Sequence, residues 1–157
     1  MAKKATDPRL ELLLVFYDQA FDGKAWHGPT LRGAIRGTKY QEALWRPTPK
    51  HHNIWELVLH TAYWKYAVRR RIVGGKRGMF EVEGSNWFTV PERPNPAAWK
   101  KAVALLDEYH AALRREMEQL DLSKFRRHDL LYGIASHDLY HAGQVQLLKR
   151  LQRGGLT

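Results

Sequence analysis

Hydrophobic residues along this 157-residue chain recur at helical rather than alternating spacing, and four segments carry the pattern over several turns. The first runs from residue 8 to about 22, with Leu10, Leu13, Leu14, Phe16, Tyr17, Ala20 and Phe21 on its apolar side. Asp7 supplies its N-cap, Pro8 its first helical position, and Gly23 its end. The second should start near residue 53 and stop at Gly74-Gly75. Its stripe is Ile54, Leu57, Val58, Thr61, Trp64 and Val68, and His60 joins it through the run Leu57, His60, Trp64, Ala67. A third, from residue 96 to about 120 behind Asn95, presents Trp99, Val103, Leu106, His110, Leu113 and Met117. The fourth begins near residue 129, ends at Gly154-Gly155, and carries Leu130, Ile134, His137, His141, Val145 and Leu148 on one face.

The intervening segments read as connections. Trp26-His27-Gly28-Pro29-Thr30-Leu31-Arg32 is a turn leading into a short helix that ends near residue 36. Residues 37–52 form a linker in which Pro47 and Pro49 fix an extended run, with room for one helical turn at 42–45. Residues 74–94 form a long loop, and the alternation Phe80-Glu81-Val82-Glu83 predicts a small hairpin within it. Trp87 and Phe88 are candidate wall residues of a site beneath that loop, with core packing the favoured role for both. Four amphipathic helices with hardly any strand propensity predict an all-α, four-helix bundle with a long loop between the second and third long helices. The length suits a single domain over residues 1–157.

Composition narrows the chemistry. The chain is 44% hydrophobic and 27% charged, ordinary for a globular protein. It has no cysteine, which excludes a disulfide framework, a thiolate metal site and an internal cysteine nucleophile. The N-terminus lacks an apolar stretch of signal-peptide length, and Arg69-Arg70-Arg71 interrupts the most apolar helix, so the expectation is a soluble, cytoplasmic protein with no membrane partner. The net charge of +10 raises the question of nucleic acid. Its short clusters, Arg69-Arg70-Arg71, Lys76-Arg77, Arg114-Arg115 and Arg126-Arg127, fall partly near helix C-termini, where cations complement the helix dipole. A solvated basic surface is therefore favoured over a nucleic-acid groove, and it would equally attract an anionic small molecule.

The histidines change the picture most. His137 and His141 stand one helical turn apart, a spacing that brings Cβ atoms to roughly 5–6 Å on one face. Both imidazoles can then reach one ion, with a third ligand arriving from a facing helix, where His60 lies on the apolar stripe. Imidazoles in a bundle interior are costly unless their nitrogens are satisfied, and a divalent metal satisfies them; hydrogen-bonded core histidines are the alternative. Three neutral imidazoles leave zinc or nickel with open positions, as in catalytic rather than closed structural sites. His110 could approach the site but reads as a satisfied core histidine, and His27, His51 and His52 as exposed. Glu56, one turn before His60, is the candidate catalytic residue, as a general base or an outer partner of the ligands; a solvated carboxylate explains it as well. Asp138 points about 100° away from His137 on an ideal helix, as an outer partner or an interhelical salt bridge. Tyr140 and Gln144 are pocket candidates, though Gln144 also suits a hydrogen bond between helices.

The stretch His52-Asn53-Ile54-Trp55-Glu56-Leu57-Val58-Leu59-His60, the C-terminal His137-Asp138-Leu139-Tyr140-His141-Ala142-Gly143-Gln144 and the early Trp26-His27-Gly28-Pro29-Thr30-Leu31 turn together resemble the DinB-like (YfiT-like) superfamily, in the expected order over nearly the whole chain. The resemblance implies a four-helix bundle, frequently a homodimer, with a divalent metal held by His60, His137 and His141. It further implies chemistry on a small-molecule substrate: transfer of a low-molecular-weight thiol such as bacillithiol or mycothiol, or metal-dependent hydrolysis. The rival class is a non-enzymatic basic bundle that binds nucleic acid or a protein partner, with a metal that only pins two helices.

Overall fold

The computed structural model describes residues 7–78 and 80–154, which are 63% helical and contain no β-strand. Four long helices, α1 (Pro8–Phe21), α4 (Ile54–Val73), α5 (Pro96–Glu118) and α6 (His128–Gln152), are accompanied by two short ones, α2 (Leu31–Ile35) and α3 (Tyr40–Leu44). The long helices touch in the cycle α1–α6–α4–α5–α1, the ring of a four-helix bundle, with α2 lying on α6 and α3 on α4. No helix among the described residues is long and apolar enough to cross a membrane.

Local chemistry sets the helix ends. Asp7 accepts from the Arg9 amide, Asn53 from that of Glu56 and Asn95 from that of Ala98, each satisfying a donor that its first turn leaves open. Gly74 closes α4 in the left-handed region at φ 71°, where a Cβ would be strained. These signals are short in range, so the apolar pattern and its punctuation locate them well. Gly155, half of the expected stop after α6, and residues 1–6, where a signal segment was not expected, lie outside the described residues.

The 74–94 loop holds no hairpin at 80–83. Its β-type pairing among the described residues is an isolated bridge between Ser85 and Trp87. The Phe80 ring instead joins Tyr63, Tyr66, Phe88 and Tyr109, with centroids 5.2 to 5.6 Å away. The alternation of Phe80 and Val82 thus reflects two anchors that fasten a loop to the bundle, not a strand. Phe88 is buried in the core as expected, whereas Trp87 is 37% exposed.

The two larger apolar clusters span the contact between α4 and α6. One joins Ile54, Trp55, Leu57 and Val58 of α4 to Ala142, Val145 and Leu148 of α6. The other joins Val68 of α4 to Leu131, Ile134 and Ala135 of α6, together with Leu10, Leu14 and Tyr17 of α1. The start of α4 therefore packs on the end of α6, and the two run antiparallel. At mid-length the contact turns polar, through His60 and Lys65 of α4 and Asp138 and His141 of α6, all buried. The buried face of α6 is centred one position beyond the expected stripe: Leu131 and Asp138 are inside, while Leu130 and His137 sit at its edge. The cause is Asp138, whose charge reads as a surface position in a sequence. Lys65 of α4 hides in the same way. Its ammonium lies 2.5 Å from Asp138 Oδ2, with both side chains fully buried, so Asp138 forms an interhelical salt bridge, one of its two expected roles.

His110 packs against the core, as read from the stripe, but its ring is not the fully satisfied one expected there. Its ring stacks on Tyr17 and Phe21, with centroids 4.3 and 3.7 Å away, and its buried Nδ1 has no hydrogen-bond partner among the described residues. Burial, reinforced by the charges of Lys65 and Arg114, pulls its pKa down to about 2. Below the ordinary histidine pKa the unfolded chain takes up a proton here that the native state refuses. This histidine's contribution to stability is therefore fully present above pH 6.5 and declines as pH falls toward 2. The His110→Phe variant keeps the stack and removes the titration. Its denaturation free energy should fall less steeply below pH 6.5, by up to about 1.4 kcal/mol per pH unit. Parallel urea series for the two proteins at pH 7 and 5 check this, and identical slopes would refute it.

Candidate metal centre

The three imidazoles that the sequence singled out converge. His60 Nε2 and His141 Nε2 each lie 3.1 Å from His137 Nε2, and the three side chains can place one ligand atom apiece within 4.8 Å of one another. Three nitrogens at about 2.0–2.1 Å on a tetrahedral ion would stand roughly 3.3 Å apart, so the spacing fits. Hydrogen bonds on the far side of the rings define the tautomers. His60 donates from Nδ1 to the backbone oxygen of Asn86 at 2.7 Å, and His141 donates from Nδ1 to Gln144 Oε1 at 2.6 Å. With those protons on Nδ1, both Nε2 atoms present bare lone pairs toward His137. At most one can be satisfied by a proton on His137 Nε2; a cation satisfies all three.

Burial keeps the cluster neutral. It lowers the pKa of His137 to about 3 and that of His141 to about 4, with neighbouring imidazoles adding to the effect, and it lowers that of His60 as well. Neutral imidazole is the form that binds a metal. Among the described residues this is also the group of three or more histidine and acidic side chains with ligand atoms close enough to share an ion.

Two residues outside the cluster hold it in place. Asn86 has φ +64°, a left-handed conformation that asparagine tolerates better than most residues. That turn aims its backbone oxygen at His60, while its side-chain Oδ1 accepts from Trp64 Nε1 at 2.9 Å. The 74–94 loop thereby hydrogen-bonds to the centre through Asn86. Gln144, one turn after His141, is itself oriented by donating from Nε2 to Tyr140 Oη at 3.1 Å. Sequence reading gave Gln144 as a pocket or interhelical residue, and the structure pairs it with a histidine of its own helix. Loss of such an outer partner typically lowers metal affinity about 10–100-fold. Gln144→Met should do so in competition with a chromophoric chelator, and an unchanged affinity would show that His141 does not need this acceptor as a ligand.

Trp87, for which core packing was favoured, is instead a wall of the centre. Its ring stacks on His60 at 3.9 Å and on His52 at 3.6 Å, both nearly parallel. His52 is exposed, as expected of a helix start, yet its Nδ1 lies 3.0 Å from Glu56 Oε2. The His-x-x-x-Glu spacing was the available signal for that pair; Asn86 carried none beyond its tolerance of tight turns. Glu56 does not join the imidazoles. Its Oε1 accepts from Arg46 at 2.8 Å, and its Oε2 from His52 and from the Asn53 amide, completing the N-terminal cap of α4. Its link to the centre is the stack Glu56–His52–Trp87–His60.

The centre opens into a cavity of about 390 Å³ bordered by His141, Gln144, Trp87 and Tyr140. On the opposite side, a narrower trough of about 140 Å³ reaches His137 between Trp64, Arg71 and Leu130. The arrangement can therefore hold an ion at one end of a ligand-sized space. No curated protein and no solved structure matches the chain. The sequence model of the DinB superfamily matches residues 26–145, which include all three histidines and both outer partners. With that match over most of its length, the chain belongs to the DinB superfamily.

Proposed function

We propose that His60, His137 and His141 hold one divalent ion, zinc or nickel, and that the centre joins an external low-molecular-weight thiol to a small-molecule electrophile. The observation that carries this reading is the convergence of three Nε2 atoms, two of them fixed as lone-pair donors by Nδ1–H bonds to Asn86 and Gln144. Three protein ligands leave open positions on such an ion. When bound there, it supplies Lewis acidity and favours the deprotonated form of a coordinated thiol. The absence of cysteine is consistent with a thiol brought from outside.

The remaining steps fall to the chain itself. The sulfur contributes the electron pair of the new bond to the electrophile, the thiol proton leaves to solvent, and the bond broken on the electrophile gives its pair to the leaving group, which departs with it. Trp87 covers one side of His60 and restricts water there. Glu56 serves as a positioning residue rather than a general base, because its oxygens already accept from Arg46, His52 and Asn53. The test combines a panel of thiols and electrophiles with metal-loaded protein, chelated protein and His141→Ala. Turnover by the loaded protein alone is expected; equal rates in all three would end the proposal. Product formation without any thiol would redirect it to hydrolysis.

We also propose a homodimer in solution. Leu12 and Val15 of α1 and Tyr132 of α6 are large apolar side chains exposed on two adjacent helices, a supply suited to self-association. Light scattering at micromolar concentration should give twice the chain mass, and a monomer would refute it.

A further inference from the structure

The cavity beside His141 has a composition of its own. Leu57 and Leu148, both buried, and the partly buried Leu151 line it with aliphatic surface. Tyr140 and Leu147 border it while remaining 63% and 52% exposed, and Trp87 completes the wall. Three of the large apolar side chains that the protein leaves in water thus surround one space next to the histidine cluster. Its volume of about 390 Å³ falls in the range of small-molecule sites.

Charge at the border of this cavity has one sign. Lys50 lines it and makes no ion pair among the described residues, whereas nearby Arg46 is already engaged by Glu56. Across Leu147 a shallow groove of about 380 Å³ continues along α6, bordered by Arg150 and Arg153, which are likewise without an acidic partner among the described residues. No aspartate or glutamate lines either space. An aliphatic interior with unpaired cations outside selects against cations and against small, fully polar molecules.

We propose that this cavity binds the acceptor as an organic acid with a compact apolar body, the body against Leu57, Leu148 and Leu151 and the anionic group toward Lys50. Its role as the acceptor pocket rests on the thiol-transfer reading; binding of the acid does not.

Calorimetry with 2-naphthoate tests this on both chelated and metal-loaded protein, alongside glutarate, which has the charge without the apolar body, and 2-naphthalenemethanol, which has the body without the charge. Naphthoate should bind both forms of the protein, and roughly tenfold or more tighter than glutarate, given the apolar area it buries. Lys50→Glu should weaken naphthoate about 2–5-fold, the scale of an exposed ion pair, and leave the alcohol unchanged. Leu147→Glu, a change at an exposed position that leaves the far-UV circular dichroism intact, should weaken naphthoate by about tenfold through like charge in the cavity. Three results would overturn the proposal: no naphthoate binding, glutarate binding as tight as naphthoate, or affinity unaffected by both substitutions. Binding that disappears on chelation would overturn it too, because the carboxylate would then be a ligand of the ion. Metal analysis of the same samples reports separately on the histidine centre, so failure of the cavity and failure of the centre are distinguishable.

Discussion

Protein carrying His137→Ala should retain no stoichiometric metal after desalting, while the native sequence should retain about one ion per chain. His137 is the shared neighbour in the cluster: its Nε2 is 3.1 Å from both other Nε2 atoms, so its removal takes away the ligand in contact with both others and leaves only two. Loss of an outer partner already weakens metal sites about 10–100-fold, and loss of a ligand should exceed that. The same variant separates metal binding from folding. Saturating a site at about 100 times its dissociation constant stabilises a protein by roughly 2.7 kcal/mol. For a chain of this length that corresponds to a rise in melting temperature of about 5–10 °C. His137→Ala should lose that rise. Its metal-free melting temperature should stay close to that of the metal-free native protein, because the imidazole removed has a buried Nδ1 with no partner among the described residues. Full metal content in the variant, measured by elemental analysis, would remove His137 from the ligand set.

The parts of this molecule that were legible in the sequence are those whose signal is local or periodic. Caps at Asp7 and Asn95, the helix start near Asn53, the stop at Gly74, and the four apolar stripes depend on residues within a turn or two of one another. The His137-x-x-x-His141 pair belongs to the same class, and His60 was found because it interrupts an apolar run in a way that needs a reason. What stayed hidden is set by tertiary contact. Lys65 and Asp138 look like surface residues until their mutual burial is known. Asn86 matters through a backbone oxygen and a dihedral angle, neither of which is encoded by side-chain type. Trp87 was visible as an aromatic residue in a loop, but its choice between core and site depends on which histidine faces it.

The Lys65–Asp138 pair gives the second large expectation. Asp138→Leu should destabilise the protein by about 3–5 kcal/mol, because it leaves an ammonium uncompensated in the bundle centre. The cost should depend on pH in a defined direction. Burial already lowers the Lys65 pKa, with Asp138 opposing that shift, and removing the carboxylate removes the opposition. With a folded pKa below the unfolded value of 10.5, the unfolded chain holds the extra proton, so the stability of Asp138→Leu should rise with pH toward 10.5. The paired change Lys65→Met with Asp138→Leu removes both charges and should recover stability to within about 1 kcal/mol of the native protein, as replacement of buried ion pairs by apolar residues often does. Metal affinity should not recover with it. The bridge joins α4 five residues after His60 to α6 beside His137, and a directional contact there resists sliding that a Met–Leu contact permits. Urea denaturation at two pH values and chelator competition on the same three proteins test both halves. A cost below 1 kcal/mol for Asp138→Leu would show that the lysine escapes burial, and native metal affinity in the double variant would show that the bridge serves folding alone.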